Sequence, residues 1–186
     1  TCIQIDPGTA FGTGAHETTQ LCIRALNRYM KLMQAAGVKN IRVLDVGTGS
    51  GILGIAAKKL GAAEIFATDL DDNAIEAVAE NLASNDLDPK DFTVVCGNLI
   101  DDTAVQAAAG EARYDIALAN ILAPVILMLE KEVWRHLKIG GIFITSGIID
   151  DKEEEVRAAI AANPHFEVLE VNRQGEWSSV VARRKA

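Results

Sequence analysis

An apolar run, Val43-Leu44-Asp45-Val46, breaks directly into Gly47-Thr48-Gly49-Ser50-Gly51. Alternating glycines at the end of a strand make a tight strand-to-helix turn whose bare backbone approaches whatever lies beyond it. A second apolar run ends at Asp69, 22 residues after Gly47. A strand-helix-strand unit needs about 20 residues between a glycine turn and the acidic end of the next strand. A carboxylate placed there accepts hydrogen bonds from ribose hydroxyls. The spacing therefore predicts a parallel sheet with a nucleoside cofactor across the carboxyl ends of its strands. A glycine-rich turn with no ligand is the plain alternative.

The third glycine narrows the choice of nucleoside. A dinucleotide fingerprint is Gly-x-Gly-x-x-Gly, because a pyrophosphate must rest on the helix N-terminus. Here Ile52 stands at that position, and the glycine arrives one residue early at Gly51. This counts against an NAD-dependent oxidoreductase. Gly-x-Gly-x-Gly after Asp-Val resembles the loop of S-adenosylmethionine-dependent methyltransferases. Their cofactor carries no phosphate, so Gly47 and Gly49 need only pass close to its aminocarboxypropyl chain.

The 186 residues are 49% hydrophobic and 24% charged, the balance of one globular domain spanning 1–186. No apolar run reaches the roughly 18 residues of a membrane span, and no secretory signal opens the chain. A net charge of −8 argues against direct nucleic-acid binding, whose footprint is a basic face. Cys2, Cys22 and Cys96 lack metal-ligand spacing and read as reduced thiols of a cytoplasmic protein without a metal, with Cys96 in the core. The chain opens inside a strand-like run without an initiator methionine, as a piece of a longer protein would.

Periodicity orders the rest. Apolar residues recur at helical spacing over Thr18–Ala36, and strands are expected at 41–46, 64–69, 92–96, 114–120 and 142–146. Helices are expected at 51–60, 72–85 and 103–109, from the fourth strand to about Leu137, and at 152–162. Gly140-Gly141 reads as the turn into the fifth strand. Segments 166–172 and 177–183 read as a hairpin turning at Gln174-Gly175. Strand-helix alternation implies a doubly wound, mostly parallel sheet with right-handed crossovers.

Three further segments carry candidate chemistry. Ile5 to Thr19 holds Gly8, Gly12 and Gly14 within seven residues and can fold over a bound cofactor, which makes Phe11, Thr13 and Thr19 candidate contacts. Helix capping is the plain reading of Thr18 and Thr19, and a structural role that of His16. Asn120 ends the fourth strand ahead of Ile121-Leu122-Ala123-Pro124, where an amide can orient an acceptor amine; a helix cap is the alternative. Asp71 and Asp72 read as charges at the next helix N-terminus. Asn98, at the end of the third strand, is placed by position alone where an adenine ring would pass.

Taken together, Asp-Pro-Gly-Thr-Ala-Phe-Gly-Thr-Gly-Ala-His-Glu-Thr-Thr, Asp-Val-Gly-Thr-Gly-Ser-Gly-Ile-Leu and Asn-Ile-Leu-Ala resemble the catalytic domain of the PrmA-type ribosomal protein methyltransferases, over about Ile5 to Arg183. The glycine loop is generic to methyltransferases; His16-x-Thr18-Thr19 with Asn120-Ile121-Leu122-Ala123 is far more specific. The resemblance implies a class I methyltransferase fold of seven strands, the last inserted antiparallel beside the fifth. It implies S-adenosyl-L-methionine as cofactor, S-adenosyl-L-homocysteine as product, and cofactor contacts at Thr19, Gly47, Asp69 and Asn120. The acceptors it implies are the lysine side chains and N-terminal amine of large-subunit ribosomal protein eleven. Family members carry an N-terminal recognition domain ahead of the region matched here. Segment 101–113 is longer than the family usually shows.

The expected reaction is in-line displacement of a sulfonium methyl by a neutral amine. A free lysine with a pKa of about 10.4 is protonated near pH 7, and a dry site favours its neutral form. The sequence offers Asn120 to orient that amine and no dedicated base. The alternatives are a class I methyltransferase of another protein, RNA or small molecule, or a cofactor-binding domain inactive without its partner domain. Release-factor enzymes usually show Asn-Pro-Pro-Tyr where this chain has Asn120-Ile121-Leu122-Ala123.

Overall fold

A computed structural model describes residues 2–6 and 15–186. In chain order the elements are α1 (Glu17–Ala35), β1 (Arg42–Val46), α2 (Ile52–Lys59), β2 (Glu64–Asp69), α3 (Asn73–Ser84), β3 (Phe92–Cys96) and α4 (Thr103–Ala109), followed by β4 (Tyr114–Asn120), α5 (Ala123–Val133), β5 (Leu137–Ile149), α6 (Asp150–Ala162), β6 (Phe166–Gln174) and β7 (Trp177–Arg184).

The strands form one seven-stranded sheet in the order β3-β2-β1-β4-β5-β7-β6. β1 to β5 are parallel, and β7 lies antiparallel between β5 and β6. This is the sheet the family resemblance implied. The winding reverses direction between β1 and β4, and a crevice opens where their carboxyl ends diverge.

Both faces of the sheet are covered, which is why its strands read as continuous apolar runs rather than alternating ones. Successive side chains still point to opposite faces. Val43, Ile116 and Ile144 pack with Leu26 and Met30 of α1 and Ile55 of α2. Leu44, Ala117 and Phe143 pack with Ile126 and Leu129 of α5 and Val156 and Ile160 of α6. No helix among the described residues is long and apolar enough to cross a membrane.

Four local expectations are corrected. Helix α1 is capped by His16, whose Nδ1 accepts from the Thr18 amide, while Thr18 and Thr19 are buried inside the first turn. Helix α5 stops at Val133, and β5 already begins at Leu137 and runs through Gly140-Gly141. Leu137 pairs with Tyr114 and Ile142 with Ile116, so five steps on β5 match two on β4. A bulge therefore absorbs the glycine pair. Burial of Leu137 against β4 outweighs the turn signal. Cys96 is only half-buried, because β3 is an edge strand, and Cys22 is the cysteine in the core.

Candidate functional site

The crevice at the β1/β4 switch is a cleft of about 360 Å³, within the size range of small-molecule sites. Its floor is the turn after β1. Gly47 and Thr48 both donate their amides to the Thr68 carbonyl, at 2.8 and 3.0 Å, and the Gly51 amide closes the turn on the Thr48 carbonyl at 2.9 Å. Gly47 has φ +71°, and a Cβ built there would lie 2.6 Å from Cγ2 of Ile121. Only glycine leaves the cleft open at this point.

Two carboxylates brace the turn. Asp45 is 1% exposed. Its Oδ2 accepts from the Thr48 hydroxyl at 2.7 Å and from the Gly54 amide at 3.2 Å. Its Oδ1 has no partner among the described residues. Burial raises its pKa to about 6 against the pull of those two hydrogen bonds, and the Asp69 carboxylate adds to the rise. Asp69 lines the cleft itself. Its Oδ2 accepts from the Gly49 amide at 2.8 Å and its Oδ1 from the Asp71 amide at 3.0 Å. Each oxygen keeps a second lone pair, so the carboxylate is oriented by main chain and still able to accept from a diol.

The opposite wall comes from the turn after β4. Asn120 lines the cleft, and its Nδ2 donates to Oγ1 of the buried Thr19 at 3.3 Å. Ile121 continues the β4–β5 pairing by donating its amide to the Ser146 carbonyl at 3.2 Å. A Cβ on Gly147 would lie 2.5 Å from the Ile121 carbonyl oxygen, so this turn sits directly against the end of β5. Leu122, at the rim, is 69% exposed. Asn98 lines the far end of the cleft and its Oδ1 holds the Ile100 amide at 3.0 Å. Gln106 of α4 braces that end from outside by donating to the Leu99 and Ile100 carbonyls.

The structure thus brings Thr19, Gly47, Gly49, Asp69, Asn98 and Asn120 around one cleft. Phe11 and Thr13 lie outside the described residues. His16 turns to the start of α1 and packs edge-on against Trp177 at 5.1 Å. Asp71 caps locally by accepting from the Asn73 amide, whereas Asp72 makes no side-chain cap. Sequence reasoning missed Asp45 as the brace of the loop, and Leu99, Ile100 and Leu70 as apolar lining. Only an acidic residue inside an otherwise apolar strand hinted at the first. The apolar lining at Leu99 and Ile100, the oriented Asp69 and the bare glycine backbone fit the chemistry of the adenine, ribose and aminocarboxypropyl parts of S-adenosylmethionine.

The family described as Ribosomal protein L11 methyltransferase (PrmA) matches residues 1–185. A protein of that name from Lachnospira eligens is 51% identical over 98% of this chain and 55% of its own length. The chain therefore spans about half the length of such relatives. A crystal structure of ribosomal protein L11 methylase from Lactobacillus delbrueckii subsp. bulgaricus superposes with a TM-score of 0.82 at 38% identity, covering 99% of this chain and 86% of that one. A putative methyltransferase solved with SAH has a TM-score of 0.68 at 13% identity, over 88% of this chain and 49% of its own. That last likeness is one of fold alone.

Proposed function

The chain belongs to the ribosomal protein L11 methyltransferase (PrmA) family, and from that premise we propose that it transfers methyl groups from S-adenosyl-L-methionine to amino groups of that large-subunit protein. The acceptors in this reading are lysine side chains and the N-terminal amine, the product cofactor is S-adenosyl-L-homocysteine, and the setting is the cytoplasm. One observation carries the reading: the hydrogen bond from Asn120 to Thr19 joins two segments 101 residues apart. These are the two segments most specific to the family, and they meet at the mouth of the glycine-loop cleft.

In this reading Gly47, Gly49, Asp69, Asn98 and Thr19 hold the cofactor, which supplies an electrophilic methyl group. The chain's own task is then to present a neutral amine along the line of transfer. Asn120 has one Nδ2 hydrogen engaged with Thr19, and its carbonyl oxygen is available to accept from an amine N–H and aim the lone pair. The half-buried Ile121 beside it, and Leu122 once an acceptor covers it, shield the amine from water, which disfavours the ammonium form. Positioning of this kind supplies at best on the order of 7 to 11 kcal/mol of the barrier. Among the described residues lining the cleft the sole titratable group is Asp69, whose carboxylate is held by two main-chain amides. The amine therefore gives up its proton to water before attack rather than to a protein base.

The test is transfer of labelled methyl groups to L11, with calorimetry of cofactor binding on the same preparation. Label in L11 is the expected result. Cofactor binding without label would support the second reading, in which acceptor recognition resides in protein beyond this chain; no binding at all would reject the methyltransferase assignment. Asn120→Ala is expected to lower kcat by about 10 to 100-fold, the scale of a lost oriented hydrogen bond, while cofactor affinity changes less. Unchanged turnover would remove the amine-orienting role.

A further inference from the structure

Helix α3 meets the leading segment 2–6 through two asparagines one turn apart, Asn81 within the helix and Asn85 at its C-cap. Asn81 is fully buried. Its Oδ1 accepts from the Asp6 amide at 2.9 Å, and its Nδ2 donates to the Asp6 carbonyl at 3.0 Å and to the Ser50 carbonyl at 2.9 Å. Both hydrogens of that amide are used. Asn85 repeats the pattern one step along the segment. Its Oδ1 accepts from the Gln4 amide at 3.0 Å, and its Nδ2 donates to the Gln4 carbonyl at 2.6 Å and the Asn81 carbonyl at 2.8 Å.

The geometry explains the pairing. Four helical residues rise about 6 Å, and two extended residues span about 6.6 Å. Amides at i and i+4 on a helix therefore match the main chain at j and j+2 of a strand. The helix pairs with the main chain of the segment as a neighbouring strand would, while Ile3 and Ile5 pack against the core that includes Val78 and Leu82 of α3.

The two asparagines differ in one contact. Asn85 spends its second donor within α3, whereas Asn81 spends its own on Ser50, inside the Gly47–Gly51 turn. The turn also seats on α3 at Gly51, where a Cβ would lie 2.9 Å from a Val78 methyl. We propose that Asn81 is a positioning residue for the cofactor site: its one buried amide clamps Ser50 of the glycine loop to α3 and Asp6, so that cofactor affinity depends on this side chain rather than on docking of the segment as a whole. The inference rests on the methyltransferase reading for the identity of the cofactor.

The experiment compares Asn81→Ala with Asn85→Ala in the full chain, measuring S-adenosylhomocysteine affinity by calorimetry, thermal stability, and amide exchange at Gly51 in the cofactor-free protein. Both variants lose hydrogen bonds to the leading segment and are expected to lower Tm comparably. Asn81→Ala alone is expected to weaken binding at least ten-fold and to speed Gly51 exchange at least ten-fold. Asn85→Ala is expected to stay within about two-fold of wild type in both. Equal affinities in all three proteins, or equal losses in both variants, would overturn the proposal and leave Asn81 a structural staple. If Asn81→Ala does not fold, Asn81→Ser removes the same reach with less lost volume and is held to the same outcomes. A wild-type chain that bound no S-adenosylhomocysteine would overturn the functional reading and the cofactor half of this proposal. Gly51 exchange would then still decide whether Asn81 supports the loop.

Discussion

Two strand-to-helix turns face each other across the cleft, one after β1 and one after β4, and they are built differently. The turn after β1 presents main chain. It is held from behind by Asp45, from the side by Asp69 and from α3 by Val78 and Asn81. The turn after β4 presents side chains, Asn120, Ile121 and Leu122. Asn120 is tied across the cleft by a single 3.3 Å bond, and Leu122 is largely exposed. A surface that binds one invariant ligand gains from being rigid, because little order is lost on binding. A surface that must admit and release an acceptor gains from exposed, adaptable apolar groups. In the proposed function the first turn serves the cofactor and the second the acceptor.

The sharpest way to break this contrast is Gly47→Ala. The added Cβ would meet Ile121 at 2.6 Å on a backbone with φ +71°, so it strains the rigid turn and pushes on the opposite one. Strain and overpacking together cost about 3 kcal/mol, and S-adenosylmethionine affinity measured by calorimetry is expected to fall by more than about 100-fold. An affinity within a few-fold of wild type would mean the turn is not rigid.

Asp45→Asn probes the same turn from behind. A carboxylate with its folded pKa raised from 3.8 to about 6 is bound to more protons in the folded than the unfolded state between those values. Its contribution to stability is therefore lost as pH rises from about 4 to about 6, then stays constant. Relative to wild type, the Asp45→Asn variant is expected to gain up to about 3 kcal/mol between pH 4 and pH 7, read from urea unfolding at the two pH values. A pH-independent difference would show that Asp45 is ionised at no cost.

The smallest expected effect belongs to the exposed rim. Leu122→Ala removes apolar area that an acceptor would cover, worth about 1 kcal/mol. The KM for L11 is expected to rise a few-fold with cofactor affinity unchanged. A parallel loss of cofactor affinity would show that the two turns do not divide the work.

Much of the framework is legible in the residues themselves. The central apolar runs are buried strands, and Gly47, Gly49 and Asp69 come together because a strand-helix-strand crossover has little freedom in length or hand. The boundaries misread from the sequence share a cause. At Gly140-Gly141 and at Thr18-Thr19, local turn and capping signals are overridden by burial of Leu137 against β4 and of the threonines within the first turn of α1. Propensity acts within a few residues, and packing energy does not. The role of Asp45 is not legible in the sequence, because it depends on Gly54, nine residues on, and on enclosure that no linear pattern displays.

Local spacing alone determined the sheet class, the glycine turn and the acidic residue after β2, since periodicity and backbone sterics are written in consecutive residues. Tertiary structure alone decided which side chains share a hydrogen bond: Asn120 with Thr19 across 101 residues, and Asn81 with both Asp6 and Ser50. Those bonds are directional and short. They exist only once helix and sheet packing has brought distant main chain and side chain within about 3 Å of each other.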